Sequence, residues 1–488
     1  MARLASASAP LRYGTPAARW AVLATVLSSG VAFLDATVVN VALPKIGHEL
    51  DAGLAGLQWT VDAYLLTLGS LIVIGGSLGD LLGRRRVLVI GLVGFAVASL
   101  GCGLARSATA LILTRAVQGM AGALLVPSSL AVLSAAFQPA DRAKAVGAWS
   151  GLGGVWMAIG PFLGGWLVDA ASWRLVFLMN LPLVAFTVWA ALRHLPESRD
   201  ESAVRHVDVP GALAIVIGLG GLVYALIEGP ANGFGPLTIA AAAAGVAGLA
   251  LFPLIESRSR NPMVPLAMFT SRQFAGANLV TFAVYGALGT ATFLLVVHLQ
   301  RDMGYSALEA GMAFLPSTAL MMLFSARAGA LAQRIGPRWP MTIGPLLAGG
   351  GLAVLSRVAP GTGYLTGVLP GVLLFGAGMT LTVAPLTAAV LAAVEDRHLG
   401  VGSAVNNAVA RIGGLISVAV LPAAAGLARA ATPAAFQAGY TRALTLAAVV
   451  CAAGGLVALL TIRGGAMVRP VPIVHPSHGC GDPALTRR

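Results

Sequence analysis

The sequence predicts an all-α integral membrane protein with fourteen transmembrane helices, arranged as two six-helix bundles with a two-helix hairpin inserted between them. Three observations predict it. Of 488 residues, 57% are hydrophobic, and the charged residues number only 31 basic and 18 acidic, far below the roughly 25% charged share of soluble domains. The apolar residues fall into fourteen runs between charges and Pro/Gly-rich breaks, each close to the ~20 residues that a bilayer-spanning helix needs. One loop pattern also recurs at an offset of 253 residues: Gly76-x-Leu78-x-Asp80-x-x-Gly83-x-Arg85 and Gly329-x-Leu331-x-Gln333-x-x-Gly336-x-Arg338.

The elements follow in chain order. A tail, residues 1–19, precedes the first run at 20–43. Arg3, Arg12 and Arg19 before that run imitate a secretory leader, but the run is longer than a leader's apolar core, contains Asp35 and leads straight into another span, so it reads as an uncleaved helix. Runs at 58–79, 87–105, 110–136, 145–168 and 175–195 complete the first bundle (20–195). A charged linker, 196–208, then separates it from the hairpin (209–255), whose runs are 209–227 and 237–255. After a loop at 256–273, the second bundle (274–462) comprises 274–299, 311–333, 340–356, 364–394, 401–427 and 441–462. The Pro- and Gly-rich tail, 463–488, reads as disordered.

An even number of spans places both termini on one side. Basic loops stay cytoplasmic. The tails and even-to-odd loops hold 21 Lys and Arg, against 7 in the opposite set (Lys45, Arg106, Arg174, Arg301, Arg357, Arg429 and Arg442). The chain is therefore expected to be a multi-pass protein of the cytoplasmic membrane with both termini in the cytoplasm. The net charge of +13 is dispersed over short interhelical stretches, which excludes a nucleic-acid face. Cys102, Cys451 and Cys480 form neither a disulfide framework nor a metal-ligand spacing.

Repeats of this kind build secondary transporters, with the substrate site near the midplane between the halves. Several further motifs carry a family resemblance. LDATVVNVALP at 34–44, the Gly76–Arg86 loop, Thr114-Arg115-Ala116-Val117-Gln118-Gly119, Gly160-Pro161-x-x-Gly164-Gly165, Trp173-Arg174 through Asn180-x-Pro182, and Asn406-Asn407 with Arg411 and Gly413-Gly414 resemble the fourteen-helix drug/proton antiporter branch of the major facilitator superfamily over residues 20–462. The resemblance implies the major facilitator fold, export in exchange for protons, and no cofactor beyond a proton gradient.

Each motif also has a physical reading of its own. In the first loop copy, Asp80 beside Arg84, Arg85 and Arg86 either latches one conformation or merely anchors topology, while Gly76, Gly79 and Gly83 permit close helix approach. Gln333 replaces the acid in the second copy, with Gly336 and Arg338 kept, so the two loops are expected to be unequal gates. Gly160, Pro161, Gly164 and Gly165 suit either a moving or a static tightly packed interface.

Asp35 and Asp62 are the two acids well inside spans, where a charge is functional by default. Helical rise places Asp35 ~22 Å along its span, at a depth similar to Arg115, and Asp62 in the outer part of the next span. The three are expected to share a cavity. Asp35 is the first candidate for proton exchange with Arg115 as its modulator, Asp62 is the second, and a fixed ion pair is the alternative. Arg411, ~15 Å into its helix, either binds a substrate anion or pairs with backbone carbonyls beside Asn406 and Asn407. Tyr64 and Trp156 are candidate pocket residues.

The expected partners are a small-molecule substrate, protons and the lipid bilayer, with the chain acting as a monomer. A proton-coupled exporter of small amphipathic compounds is the leading reading. A metabolite exporter or importer of the same fold stays open. A membrane enzyme holding Mg²⁺ would need clustered carboxylates, which no span supplies. An ATP-driven pump would need Lys followed by Ser or Thr, whereas Lys45 precedes Ile46 and Lys144 precedes Ala145.

Overall fold

The computed structural model describes residues 10–199, 208–259, 262–395 and 398–465. The expected disorder of the 463–488 tail falls almost wholly outside the described residues, as does most of the 196–208 linker. The first bundle contains α1 (Pro16–Glu49), α2 (Leu54–Leu82), α3 (Arg84–Gly103), α4 (Ala108–Ala136), α5 (Pro139–Ala170), α6 (Leu175–Leu178) and α7 (Asn180–His194). The hairpin is α8 (Val209–Asn232) and α9 (Pro236–Arg258). The second bundle contains α10 (Arg272–Arg301), α11 (Ala307–Met312), α12 (Leu315–Ile335), α13 (Arg338–Leu355), α14 (Leu369–Ala392), α15 (Leu399–Ala424) and α16 (Pro433–Thr461).

Thirteen spans among the described residues are long and apolar enough to cross a bilayer. The fourteenth, α13, is only 18 residues long and diluted by glycine and proline, yet it packs between α14 and α16. Two spans are broken where proline predicts it. The Pro182 ring opposes the carbonyl of Leu178, where α6 ends, and the Pro316 ring opposes that of Met312, where α11 ends.

Several helices extend beyond the expected limits because their caps lie outside the apolar run. Thr15 and Thr432 accept hydrogen bonds from Ala18 and Ala435, so α1 starts four residues and α16 eight residues before the limits read from hydropathy. Proline in the first turn does the same for α5. The two copies of the repeated loop form equivalent joints, because Gly83 between α2 and α3 and Gly336 between α12 and α13 adopt φ of +108° and +86°, which favour glycine.

Close approach sets the packing. An added Cβ at Gly75 would collide with the Ala123 carbonyl, one at Gly160 with Thr37, and one at Gly164 with Val38. The tight α2–α4 contact thus falls on Gly75 rather than on the expected Gly76, whose added Cβ would have an ordinary 3.6 Å contact with Pro127. Gly165 meets the other bundle, where an added Cβ would stand 2.5 Å from Leu308 Cα. Gly147, Gly151 and Gly154, at the opposite end of α5, face open space.

The hairpin is attached along one side. Leu219, Val223 and Ile227 of α8 pack with Leu415 and Ala419 of α15 and with Trp59 and Leu66 of α2. Trp59 Nε1 donates to Glu228 Oε1 at 2.8 Å, and Arg429 Nε donates to the Pro230 carbonyl at 3.2 Å. Helix α8 therefore lies across the seam between the bundles, bonded to both.

Gly75→Ala is expected to lower the melting temperature of the detergent-solubilised protein, with an overpacking cost of ~1–3 kcal/mol. Gly154→Ala should leave it unchanged or raise it, since alanine favours helix by up to ~1 kcal/mol over glycine. Equal effects of the two substitutions would contradict the packing described.

Candidate functional site

Five elements converge on Asp35. The carboxylate is wholly buried inside the first bundle. Arg115 Nη1 of α4 donates to Asp35 Oδ2 at 2.5 Å, and Gln118 Nε2, one helical turn further on, donates to Oδ1 at 2.9 Å. Asn180 Nδ2 of α7 donates to the same Oδ1 at 3.3 Å, and Ser99 of α3 accepts from both amides. Arg115 also donates to Gln118 Oε1 at 2.6 Å and to the Thr60 carbonyl of α2 at 3.1 Å. Its guanidinium lies 4.3 Å from the centroid of the Tyr64 ring, a cation–π contact that needs no countercharge.

The expected cluster of three ionisable residues is thus a cluster of two. Asp62 lies outside it and away from solvent: it is wholly buried, and neither carboxylate oxygen has a hydrogen-bond partner. Its neighbours along α2 explain why. Gln58 Nε2, one turn before it, donates to the Val418 carbonyl of α15 at 2.6 Å. Leu65 and Gly69, on the following turns of the same face, pack on Gly414 and Arg411 of α15. Asp62 therefore faces the seam between bundles. Tyr64, expected in a pocket, is buried beneath Arg115, and its hydroxyl reaches the Ala32 carbonyl at 3.4 Å.

The other candidate substrate residues are spread along the seam and its borders. Trp156 of α5 packs its indole on Gly30 of α1. Asn406 Nδ2 donates to Asn278 Oδ1 at 3.1 Å and Thr281 Oγ1 at 2.7 Å, both on α10. Asn407 donates to the Ser403 carbonyl of its own helix at 3.0 Å. Half-buried Arg411 lies against Gly69 of α2.

Hydrogen bonds cross between the bundles at one end only, among the described residues. At the end away from the chain termini, Gln58 bonds Val418, and Gln300 Nε2 donates to the Val41 carbonyl at 3.0 Å. Asp169, the penultimate residue of α5, accepts from the backbone N–H groups of Ala307 and Leu308 at 3.1 and 2.8 Å. It caps α11 from the opposite bundle, where an acid also meets the positive end of the helix dipole. Sequence reasoning missed these bonds, along with Ser99, because each joins residues far apart in the chain.

At the termini end, the first loop copy carries a connected latch. Arg84 bonds Asp80 at 2.7 Å, the Arg84 N–H donates to the Ser198 carbonyl at 2.8 Å, and the Arg85 N–H and side chain reach Glu197 Oε1 and the Leu195 carbonyl at 3.1 and 3.0 Å. In the second copy Gln333 is exposed, and Gly336 packs against the Gly465 backbone.

Two helical bundles, a seam bonded at one end and a buried ion pair inside one bundle are the parts from which secondary membrane transporters are built. A profile described as the Major Facilitator Superfamily matches residues 25–418, and the chain belongs to that family. It is similar to the multidrug resistance protein Stp of Mycobacterium tuberculosis (strain CDC 1551 / Oshkosh), with 39% identity over 82% of this chain and 74% of that one. It is also similar to the tetracenomycin C resistance and export protein of Streptomyces glaucescens, with 35% identity over 82% of this chain and 74% of that one. Among solved structures, a crystal structure of the peptide transporter POT in complex with sulfate shares the fold, with a TM-score of 0.68 and 14% identity over 93% of this chain and 96% of that one.

Removing one partner of a buried ion pair strands the other, at a cost of ~3–5 kcal/mol. Arg115→Met should therefore destabilise the protein strongly, and adding Asp35→Asn should recover much of the loss. A double-mutant cycle in thermal or denaturant unfolding measures this, and additive effects would show that the two side chains are not coupled.

Proposed function

We propose that the chain is a proton-coupled exporter of small amphipathic compounds, drugs and antibiotics among them, across the cytoplasmic membrane, with both termini in the cytoplasm. It moves its substrate chemically unchanged. The observation that carries the proton half of this reading is the Asp35–Arg115 pair. A proton on Asp35 and the ion pair exclude one another, since a neutral carboxyl no longer holds the guanidinium, which would fall back on Gln118 and the Thr60 carbonyl. Five elements meet there, so a change in the bond is transmitted to the packing of the whole bundle. The relatives named for resistance and export support the direction of transport.

In this reading the described conformation is closed to the outside by the Gln58, Gln300 and Asp169 bonds, and it receives substrate from the cytoplasm. Opening outward requires these bonds to break while the halves rock about the seam. The Asp80–Arg84 latch and its tie to Glu197 stiffen the cytoplasmic end of the first bundle, and among the described residues the second bundle shows no equivalent.

Everted membrane vesicles test the proposal. A panel of amphipathic antibiotics and dyes should include compounds that accumulate when the lumen is acid and leak out on addition of an uncoupler. Asp35→Asn should abolish uphill accumulation while leaving downhill exchange. Uphill transport by Asp35→Asn would move the proton role to Asp62, and accumulation insensitive to the uncoupler would end the proton-coupled reading.

A further inference from the structure

Arg411 lies 12 residues into the 26-residue helix α15, ~18 Å from either end. Its Cβ is 3.2 Å from where a Cβ on Gly69 of α2 would stand, which fixes it on the seam between the bundles. The other two arginines within spans are bonded, Arg115 as described and Arg327 to the Leu323 carbonyl at 3.3 Å. Among the described residues, no carboxylate or carbonyl bonds Arg411, and helices α12 to α16 contain no acid to neutralise it. Asp62 does not do so either: it lies two turns before Gly69 in α2 and is itself unpaired.

A charge at mid-membrane that the protein leaves unneutralised, yet half accessible, faces a wet space. A guanidinium in that position presents a planar fork of donors, suited to a carboxylate held by two parallel hydrogen bonds. Ile412 lies beside Arg411 against Gly69, and Leu65 of α2 and the Tyr285 backbone of α10 border Gly414, three residues further along α15. We infer that Arg411 anchors the acidic group of the substrate, and that the transported class comprises amphipathic organic monoanions: a carboxylate or comparably acidic oxygen on an apolar, ring-bearing body. This rests on the export reading for its setting. It reverses the charge preference that an acid-lined cavity would give.

Binding to the purified full-length chain in detergent tests the inference without requiring transport. The probes are aromatic monocarboxylates of one to four fused rings, each with its methyl ester and its primary-amine counterpart, read by ligand-induced thermal stabilisation. Acids from the panel should stabilise the protein, whereas their esters and amines should not. Arg411→Gln should weaken acid binding by at least about tenfold, and Arg411→Lys, which keeps the charge but not the fork, should restore part of it. An arginine with a merely structural role would lower the unliganded melting temperature yet leave the preference for acid over ester intact. That result would overturn the inference, as would amines binding as tightly as acids or no acid binding at all. Acids that bind at Arg411 but are not moved by energised vesicles would instead refute the export reading and leave the site standing.

Discussion

The interior of a bilayer offers no water, so a charge placed there must find its countercharge and its hydrogen bonds within the protein. Asp35 and Arg115 meet that requirement together. Placing either alone at mid-membrane costs ~2.5–3.5 kcal/mol on insertion scales, and much of the first bundle is arranged around avoiding it. Gly119 shows how: an added Cβ would collide with Thr67 and the Tyr64 carbonyl, and its absence lets α4 approach α2 closely enough for Arg115 to reach the Thr60 carbonyl. Thr67 seals the same contact by donating to the Ala116 carbonyl at 2.8 Å.

The two bundles descend from one pattern but do not share one electrostatic design. The first holds a buried ion pair, a carboxylate on the seam and a charged latch at its loop. The second answers with amides and hydroxyls. Asn406 joins Asn278 and Thr281, and Thr290 meets Ser417 at 2.8 Å. Its buried His298 sits away from the seam, between Asp302 and the Val358 carbonyl and stacked on Tyr440, where it ties together α10, α16 and the end of α13. Buried charge pairing is concentrated in one half, and the other supplies a polar counterface of amides and hydroxyls beside the mid-helix cation Arg411.

Hydropathy makes the fourteen spans legible because the solvent for each helix is hydrocarbon and length alone is diagnostic. The limits are less legible, because Thr15, Thr432 and the first-turn prolines act from outside the apolar runs. Depth arithmetic pairs Asp35 with Arg115 correctly, and Gln118 lies three residues further on the same helical face. The same arithmetic fails to place Asp62. Depth says nothing about which way a helix is turned, and here the rotation of α2 sends Asp62 toward α15 and Tyr64 toward Arg115. Nothing in local spacing marks Ser99 or Asp169, and the motif that contains Asn180 does not name its partner; the folded topology alone brings these groups together.

The position of α8 makes the two flanks of the molecule unlike. On one flank the α2–α15 junction is sheathed by an extra helix bonded to both halves. On the other, α5 meets α11 and α12 with no such cover among the described residues, and Phe162 and Trp166 are exposed. The α5 flank therefore meets the lipid with the seam's own aromatic side chains, and the α8 flank meets it with an added helix. On the sheathed flank, any displacement of one half against the other would also strain the contacts of α8, because α8 is bonded to both.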